Sequence, residues 1–228
     1  MNIRRSSDSN SYHNINYQGV KTKHNMLKMH EGRFHDINQK YWNLDPNYDD
    51  NITRLRHYNL CLFSNYVKNL EGDFITAGIS YGVAPRIIYD FVKFEKLNKV
   101  YHFIDPFLGI GNDGDVNKSY NKSKQYVLDQ YPKSAPIKLH NELIPNCFPL
   151  NGVDKISFAH LNTGVYLAEA KSLKYLFDKL IKGGVIIIDN YSLFNGYEKM
   201  KIYDPFIKEL EVEIFVLVTG QGVILKKF

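Results

Sequence analysis

The sequence has few cysteines and no long apolar run, and these two absences narrow the class of protein. Its 228 residues include only two cysteines, Cys61 and Cys147. They lie far apart and match no metal-binding spacing, so we predict free thiols in a reducing compartment. No stretch approaches the roughly 20 apolar residues of a membrane span. Residues Met1–Ser7 also lack the apolar segment of a signal peptide. We therefore expect a cytoplasmic protein without a membrane-spanning helix.

The composition is that of a globular domain. Hydrophobic residues make up 44% of the chain and aromatic residues 14%, which is enough to build a core at this length. The net charge of +5 is mild. It would suit an anionic ligand, but it does not by itself indicate nucleic-acid binding. We expect no nucleic-acid partner, and the composition is compatible with a homo-oligomer.

Residues 1–50 differ from the rest of the chain because they are polar and rich in Asn, Ser and Tyr. Two interpretations stay open for them: a solvated, partly disordered arm, or a segment that covers the substrate or binds a partner. From residue 51 to 69 the apolar spacing predicts a helix that packs on the domain. We therefore divide the chain into an N-terminal arm, 1–50, and a catalytic-type domain, 51–228.

After residue 71, strand and helix patterns alternate almost to the end of the chain. The predicted strands are 74–77, 100–104, 137–139, 156–158 and 185–188, and the predicted helices start near 85 or cover 116–131 and 168–182. Gly183 and Gly184 are predicted to end the last of these helices. Segments 213–218 and 222–225 flank a short turn and predict an antiparallel hairpin. The pattern predicts an α/β fold with an open, mostly parallel seven-stranded sheet and helices on both faces.

Ligands of such sheets bind beyond the carboxyl ends of the strands, where the strand order reverses. Gly78–Gly82 follows the first strand, and its glycines would let the backbone approach a ligand, although close packing explains them equally well. Asp105 ends the second strand, 27 residues after Gly78, near the roughly 20 expected for an adenosine-binding pair. The missing G-x-G-x-x-G spacing and the C-terminal hairpin disfavour an NAD-dependent oxidoreductase.

Four segments resemble, in the same order, motifs of the macrocin O-methyltransferase family, sugar O-methyltransferases of antibiotic and glycan pathways. They are Glu71–Gly82, Asp105–Gly109, Leu161–Tyr166 and Gly183–Tyr191. The second is similar to the family's Asp-Ser-Phe-Glu-Gly. The third and fourth stand where the family has Leu-Asp-Gly-Asp-Leu-Tyr and Gly-Gly followed by Asp-Asp-Tyr. The resemblance covers roughly residues 72 to 223 and implies the Rossmann-like fold of class I methyltransferases, with S-adenosylmethionine (SAM) as cofactor.

The resemblance implies a set of cofactor-binding residues at the first three motifs. They are Thr76, Ala77, Gly78, Ser80, Tyr81, Gly82, Asp105, Pro106, Phe107 and Asn162. Thr76 stands where the family has an acidic residue, so we expect one cofactor contact to be weakened or replaced.

The family's magnesium-binding aspartates correspond to Asn162, Asp189 and Asn190. Mg²⁺ prefers anionic oxygen ligands in octahedral geometry. Because two of the three carboxylates are replaced by amides, the attraction for Mg²⁺ is much reduced. We expect a weakened or lost metal site at these positions.

Asp189, His160 and Asn162 are the predicted catalytic residues. Asp189 is the one carboxylate left from the family's set, and strand alternation places His160 on the same face as Asn162. His160 has a plainer interpretation as a hydrogen-bonded histidine inside the domain. His30 or His35 could supply a base if the N-terminal segment folds over the site. Tyr166 and Tyr191 are predicted to wall the acceptor pocket, where their rings would stack on a sugar.

We therefore predict a SAM-dependent O-methyltransferase that acts on a sugar or glycan hydroxyl, with or without the family's metal. One alternative is a methyltransferase for another small-molecule oxygen or nitrogen acceptor. A second is a non-catalytic SAM-binding or scaffolding domain, which Thr76 and the two amides at 162 and 190 support.

Overall fold

A computed structural model describes residues 15–17, 20–22, 27–45, 48, 52–107, 124–192 and 196–227. Its strands are β1 (Ile15–Tyr17), β2 (Val20–Thr22), β3 (Asp73–Ala77), β4 (Tyr101–Ile104), β5 (Ile137–His140), β6 (Ile156–Leu161), β7 (Leu180–Ile188), β8 (Ile214–Val216) and β9 (Gly222–Leu225). Its α-helices are α1 (Leu27–His30), α2 (Gly32–Tyr41), α3 (Ile52–Val67), α4 (Val83–Val92), α5 (Lys124–Leu128), α6 (Tyr166–Lys179) and α7 (Gly196–Glu209). Short 3₁₀ turns cover Trp42–Leu44 and Phe94–Lys96.

Seven strands form one sheet in the order β5-β4-β3-β6-β7-β9-β8. Strands β3 to β7 pair in parallel, and β9 runs antiparallel to both β7 and β8. The predicted mostly parallel sheet and its C-terminal hairpin are confirmed. Because the chain adds β4 and β5 on one side of β3 and then β6 and β7 on the other, the strand order reverses between β3 and β6.

Both faces of the sheet are covered, which explains the continuous apolar runs of its central strands. Ile186 and Ile188 of β7 belong to the buried cluster formed with α6 and α7. Val185 and Ile187, the alternating residues, belong to the cluster formed with α3 and α4. Strand alternation thus divides one apolar run between two cores.

Helix α2 belongs to the packed domain, although it lies in the polar first 50 residues. Phe34 and Tyr41 are buried in a cluster with Cys61 of α3 and Ile87 of α4. The ring of Phe34 also meets the ring of Tyr58 edge-on, with 5.1 Å between centroids. Spacings of three and four residues place these apolar side chains on one helix face. The apolar face of α2 is therefore packed against α3 and α4.

Several elements differ from their predictions. Of the predicted helix over 116–131, residues 116–123 lie outside the described residues, and α5 covers Lys124–Leu128. The predicted helix over 168–182 is wrong at its end, because α6 ends at Lys179 and β7 already begins at Leu180. Gly183 and Gly184 continue β7: the Gly183 amide donates to the Lys226 carbonyl at 2.8 Å, and Gly184 accepts from Lys226 at 3.1 Å. Helix α7 was not predicted. It contains Pro205, and a proline inside a helix usually disrupts it.

Cys61 and Cys147 are free and buried, as the sequence predicts for the thiols. Burial raises the pKa of Cys147 to about 11, so both behave as small core residues rather than nucleophiles. Within the described residues, no helix has the length and apolar character needed to span a membrane.

Candidate active site

The ends of β3, β4, β6 and β7 meet where the strand order reverses. Backbone hydrogen bonds carry the pairing one residue past each strand: the Asn162 amide donates to Ala77 at 2.8 Å, and the Asp189 amide donates to Leu161 at 2.9 Å. Gly78 likewise donates to Ile104 at 2.9 Å. The residues that follow these strands are therefore held side by side at one edge of the sheet, the position where such folds bind ligands.

Asp105 fixes the turn between β3 and α4. Its Oδ2 accepts from the amides of Ile79 at 2.7 Å and Ser80 at 3.1 Å, and its Oδ1 accepts from the Phe107 amide at 2.7 Å. A carboxylate offers about four acceptor sites, so these three bonds leave one for a ligand hydroxyl. Asp105 is half-buried and Ser80 is exposed, so this turn and carboxylate can be reached from solvent.

The glycine at 78 is required by the close approach of two turns. A Cβ there would lie 2.1 Å from the Asn162 carbonyl oxygen, and its φ of 87° is left-handed. Gly82, with φ of 84°, precedes α4 and packs beside Gln130, whose Nε2 donates to the Tyr81 carbonyl at 2.9 Å. Close packing thus accounts for Gly78, and the left-handed turn accounts for Gly82.

Thr76 and Ala77 lie in the core, beneath the turn. Both are fully buried, and the Thr76 hydroxyl shares a 2.9 Å hydrogen bond with the Tyr101 hydroxyl. Thr76 thus points into the aromatic core, and only the backbone of this pair is left for a cofactor. Pro106 and Phe107 are half-buried beside Asp105, whereas Leu108 and Gly109 of the second motif lie outside the described residues.

Asp189 is a buried carboxylate with three polar neighbours. Gln221 donates to its Oδ1 at 2.7 Å, His160 Nε2 lies 3.6 Å from the same oxygen, and Arg56 Nη1 lies 3.8 Å from Oδ2. Burial by itself would raise the pKa of Asp189, but His160, Arg56 and Gln221 outweigh it and lower the pKa to about 2. Asp189 is therefore ionised throughout the physiological range.

The two amides are linked to each other and to Arg56. Asn190 Nδ2 donates to Asn162 Oδ1 at 3.0 Å, and Asn190 Oδ1 accepts from Arg56 Nη1 at 3.2 Å. The structure thus brings Asn162, Asp189 and Asn190 together, as the sequence motifs imply. Asn162 and Asn190 are half-buried, so an acceptor could reach their polar atoms.

Glu169 of α6 holds the turn that carries Asn162. Its Oε1 accepts from the Thr163 amide at 2.6 Å, the Thr163 hydroxyl at 2.7 Å and the Gly164 amide at 3.1 Å. Glu169 is only 1% exposed. No feature of the sequence distinguishes it, because an acidic residue in the first turn of a helix is common.

Arg56 is a further site residue that the sequence does not predict. It lies on α3, and its Nε and Nη2 donate to the Thr219 carbonyl at 3.2 and 3.1 Å. Asn59, one turn further along α3, donates to Gln221 Oε1 at 2.9 Å. These contacts join residues about 160 positions apart, so no local motif predicts them. An arginine inside the apolar pattern of α3 is the one signal that could have pointed to it.

His160 and His57 are buried histidines near Asp189. His160 is 1% exposed, and neither ring nitrogen has a hydrogen-bond partner among the described residues. This differs from the hydrogen-bonded core histidine considered above. Burial lowers the pKa of His57 to about 4 against the attraction of Asp189, so His57 is neutral at physiological pH.

The structure does not bring His30 and His35 to Asp189. Their Nδ1 atoms lie 3.3 and 3.4 Å from the guanidinium nitrogens of Arg54. Arg54 and Arg56 are two positions apart on α3, and residues with this spacing do not share a helix face. The two histidines therefore pack with the opposite side of α3.

The two predicted acceptor-pocket tyrosines have different surroundings. Tyr191 is 2% exposed, donates to Asp204 Oδ1 at 2.9 Å and packs on Tyr203 with 5.7 Å between ring centroids. Its ring is thus enclosed in the core on the α7 side. Tyr166 is half-buried at the start of α6, four residues after Asn162.

The side chains at Asp189, Asn162 and Asn190 do not fit a magnesium site. Each of their oxygens faces a donor: Gln221 and Arg56 at Asp189, Arg56 at Asn190, and Asn190 at Asn162. Mg²⁺ would need these oxygens at about 2.1 Å, commonly with more than one carboxylate. Elsewhere in the described part of the chain, no group of three or more His, Cys, Asp or Glu side chains could hold a metal ion.

Several solved methyltransferase structures share this fold. The O-methyltransferase NovP superposes with a TM-score of 0.64 at 15% identity, covering 76% of this chain and 80% of NovP. The methyltransferase PaMTH1 of Podospora anserina, solved with S-adenosylhomocysteine (SAH), gives 0.57 at 15% identity over 85% and 88% of the two chains. TomG of Streptomyces achromogenes, solved with SAM, gives 0.57 at 10% over 87% and 91%. At these identities the similarity shows the fold.

The sequence itself matches the family model for macrocin O-methyltransferase (TylF) over residues 8–214. A search of curated proteins gives no match. The family match spans the segment before α3 as well as strands β3 to β7. The chain therefore belongs to the macrocin O-methyltransferase family and is a SAM-dependent methyltransferase.

Proposed function

We propose that this protein transfers the methyl group of SAM to a hydroxyl of a sugar or glycan. The observation that carries the proposal is the cluster of an ionised carboxylate, two amides and a guanidinium beside the turn fixed by Asp105. Several hydrogen-bonding groups that converge at one site suit an acceptor with several hydroxyls. The resemblance to sugar O-methyltransferases points to the same acceptor class.

The residues at the ends of β3 and β4 fit SAM. The turn Gly78–Gly82 presents exposed backbone at Ser80, and Asp105 keeps one acceptor site for a ribose hydroxyl. PaMTH1 and TomG, which share the fold, were solved with SAH and SAM. When bound, SAM supplies a methyl group whose bond electrons remain on sulfur as the new bond to the acceptor oxygen forms.

Asp189 is the group placed to take the hydroxyl proton. The hydroxyl becomes strongly acidic as its oxygen bonds the methyl group, so even a carboxylate with a pKa of about 2 can accept the proton while that bond forms. Asp189 Oδ2 faces Arg56, and Gln221 holds Oδ1 in place. His160 lies behind the carboxylate, 3.6 Å from Oδ1, and acts as a positioning residue.

The charge of the site favours a hydroxyl over an amine. Arg56 is permanently protonated and lies 3.2 Å from Asn190, one of the half-buried amides. An alkylamine acceptor would reach the site as an ammonium ion, which has no lone pair to accept a hydrogen bond from Arg56 or to bond the methyl group. A neutral hydroxyl can instead accept a hydrogen bond from Arg56 and donate one to Asp189.

The test is SAH formation from SAM with a panel of hexose and deoxyhexose glycosides and oligosaccharides, followed by mass spectrometry. We expect at least one glycoside to be methylated on oxygen. Asp189→Asn should lower turnover by about 10²–10⁴-fold, while SAH affinity stays unchanged. Asp178→Asn, which alters an exposed carboxylate paired with Lys174, should retain full turnover.

Two results would contradict the proposal. Methylation of amines with none of the glycosides accepted would remove the hydroxyl acceptor. SAH binding without turnover on any acceptor would favour a binding or scaffolding role.

A further inference from the structure

The charges of the acceptor cluster already balance without a metal ion. Asp189 carries one negative charge, Asn162 and Asn190 carry none, and Arg56 contributes one positive charge 3.8 Å from Asp189 Oδ2. His160, 3.6 Å from Asp189 Oδ1, can only add to the positive side of this balance. Asp189 is 6% exposed and Arg56 9% exposed, so solvent screens their interaction little. A divalent cation added to this pair would leave two net positive charges in a buried place, which is unfavourable.

The guanidinium is anchored in its position. Nε and Nη2 both donate to the Thr219 carbonyl, and the Thr219 side chain is held by Gln221 at 2.8 Å. Gln221 in turn donates to Asp189. The turn between β8 and β9 thus fixes the cation and the carboxylate relative to each other.

An amide at position 190 suits this arrangement better than a carboxylate would. Asn190 accepts from Arg56 through Oδ1 and donates to Asn162 through Nδ2. An aspartate could accept from Arg56, but it has no donor for Asn162. The two amides and the guanidinium therefore form one matched chain of hydrogen bonds.

We propose that the Arg56 guanidinium is the resident cation of the acceptor site and takes the place of a divalent metal ion there. Its remaining N–H groups, since the bonds above use three of its five, donate to the acceptor oxygen and make its hydroxyl more acidic, so that the proton passes to Asp189 as the carbon–oxygen bond forms. The polarising role rests on the proposed methyl transfer to a hydroxyl, whereas the exclusion of metal does not. Arg56 is thus a catalytic residue of the proposed reaction.

The first test is binding of Mn²⁺ alone, measured by electron paramagnetic resonance without any acceptor. Wild-type protein should show no saturable binding at millimolar Mn²⁺. N162D/N190D should bind weakly, because Arg56 still opposes the metal. R56Q/N162D/N190D should bind one Mn²⁺ per chain at least tenfold more tightly than N162D/N190D.

A matched control separates local charge from net charge. K174Q/N162D/N190D removes an exposed cation on α6 and should bind Mn²⁺ no more tightly than N162D/N190D. Saturable wild-type binding that Asp189→Asn abolishes would overturn the proposal. So would equal affinities of the variants that carry R56Q and K174Q. If R56Q/N162D/N190D fails to fold, R56M/N162D/N190D serves instead, and it should show the same tenfold gain because the cation is removed.

The second test concerns turnover with a glycoside accepted in the SAH assay. Wild-type turnover should survive EDTA, and Arg56→Gln should lower it at least tenfold with SAH affinity unchanged. Arg56→Lys should restore part of the loss, which a purely structural role would not predict. If no glycoside is methylated but Mn²⁺ binding follows the expected order, the proposed function fails and the exclusion of metal by Arg56 stands.

Discussion

The two halves of the candidate site are built in different ways. On the cofactor side, Asp105 holds the backbone amides of a neighbouring turn, and Gly78 fits against the backbone of Asn162. On the acceptor side, Asp189 and Asn190 depend on side chains from α3 and from the turn between β8 and β9. Backbone contacts restrict residue type strongly and leave a motif in the sequence. Side-chain contacts between distant elements leave no such motif.

Gly78→Ala should have the largest effect, because it breaks the contact that joins the two halves. Its Cβ would lie 2.1 Å from the Asn162 carbonyl oxygen, so one of the two turns must move. We expect a loss of at least about 4 kcal/mol in unfolding free energy, measured by urea denaturation.

Gly152→Ala is the matched control for that variant. Gly152 also has a left-handed φ, 82°, but nothing lies within 4 Å of the added Cβ. Its cost should be only about 1–2 kcal/mol. Equal losses in the two variants would show that backbone conformation, rather than the contact between the turns, accounts for Gly78.

The acceptor side should govern stability in acid. The pKa of His57 is lowered by burial to about 4 from 6.5. The unfolded chain therefore binds this proton first, and stability is lost as pH falls from 6.5 to 4. The pKa of Asp189 is about 2 against 3.8. Its contribution is present above the unfolded value and is lost as pH falls from 3.8 to 2. The pKa shifts of His57 and Asp189 correspond to about 3 and 2 kcal/mol of unfolding free energy, respectively.

Urea denaturation measured at a series of pH values tests the contributions of both residues to stability. His57→Gln should flatten the stability curve between pH 6.5 and 4, and Asp189→Asn should flatten it between 3.8 and 2. His140, whose pKa burial also lowers to about 4, titrates in every variant and cancels in the comparison. An unchanged slope in either variant would remove that residue as the source of acid sensitivity.

Asp105→Ala tests the cofactor side of the site. It removes an acceptor for the ribose and three bonds that fix the turn. SAH binding should weaken by about 1–3 kcal/mol, which calorimetric titration can measure. Asp178→Ala, at an exposed carboxylate, should leave the affinity unchanged. Unaltered SAH binding by the Asp105 variant would place the cofactor elsewhere.

Thr76→Val should have the smallest effect. The change keeps the shape and removes the 2.9 Å hydrogen bond to Tyr101, so unfolding free energy should fall by about 1 kcal/mol. Because the Thr76 side chain is fully buried, SAH affinity should not change. A weaker SAH complex would instead support the cofactor contact that the family motif suggests for this residue.

Local patterns in the sequence predict most of the sheet. Continuous apolar residues at 185–188 predict a central strand with both faces covered, and β7 buries them on two sides. The end of α6 could not be placed in the same way, because Leu180 and Ile181 fit both a helix and a strand. Backbone hydrogen bonds of Gly183 and Gly184 with Lys226 extend the strand through these glycines. Helix α2 was not predicted because it lies in a polar segment. Its few apolar residues are buried only by packing against α3 and α4.

Local sequence patterns are sufficient to predict the alternation of strands and helices, the free cysteines, and which positions follow each strand. Those features depend on residues close together in the chain, whose spacing and backbone preferences are visible directly. The packing of the elements is needed to see that Arg56 faces Asp189, that Tyr191 is enclosed, and that His30 and His35 contact Arg54. Such contacts join residues from separate elements, and their partners are fixed by how the elements pack rather than by any local pattern.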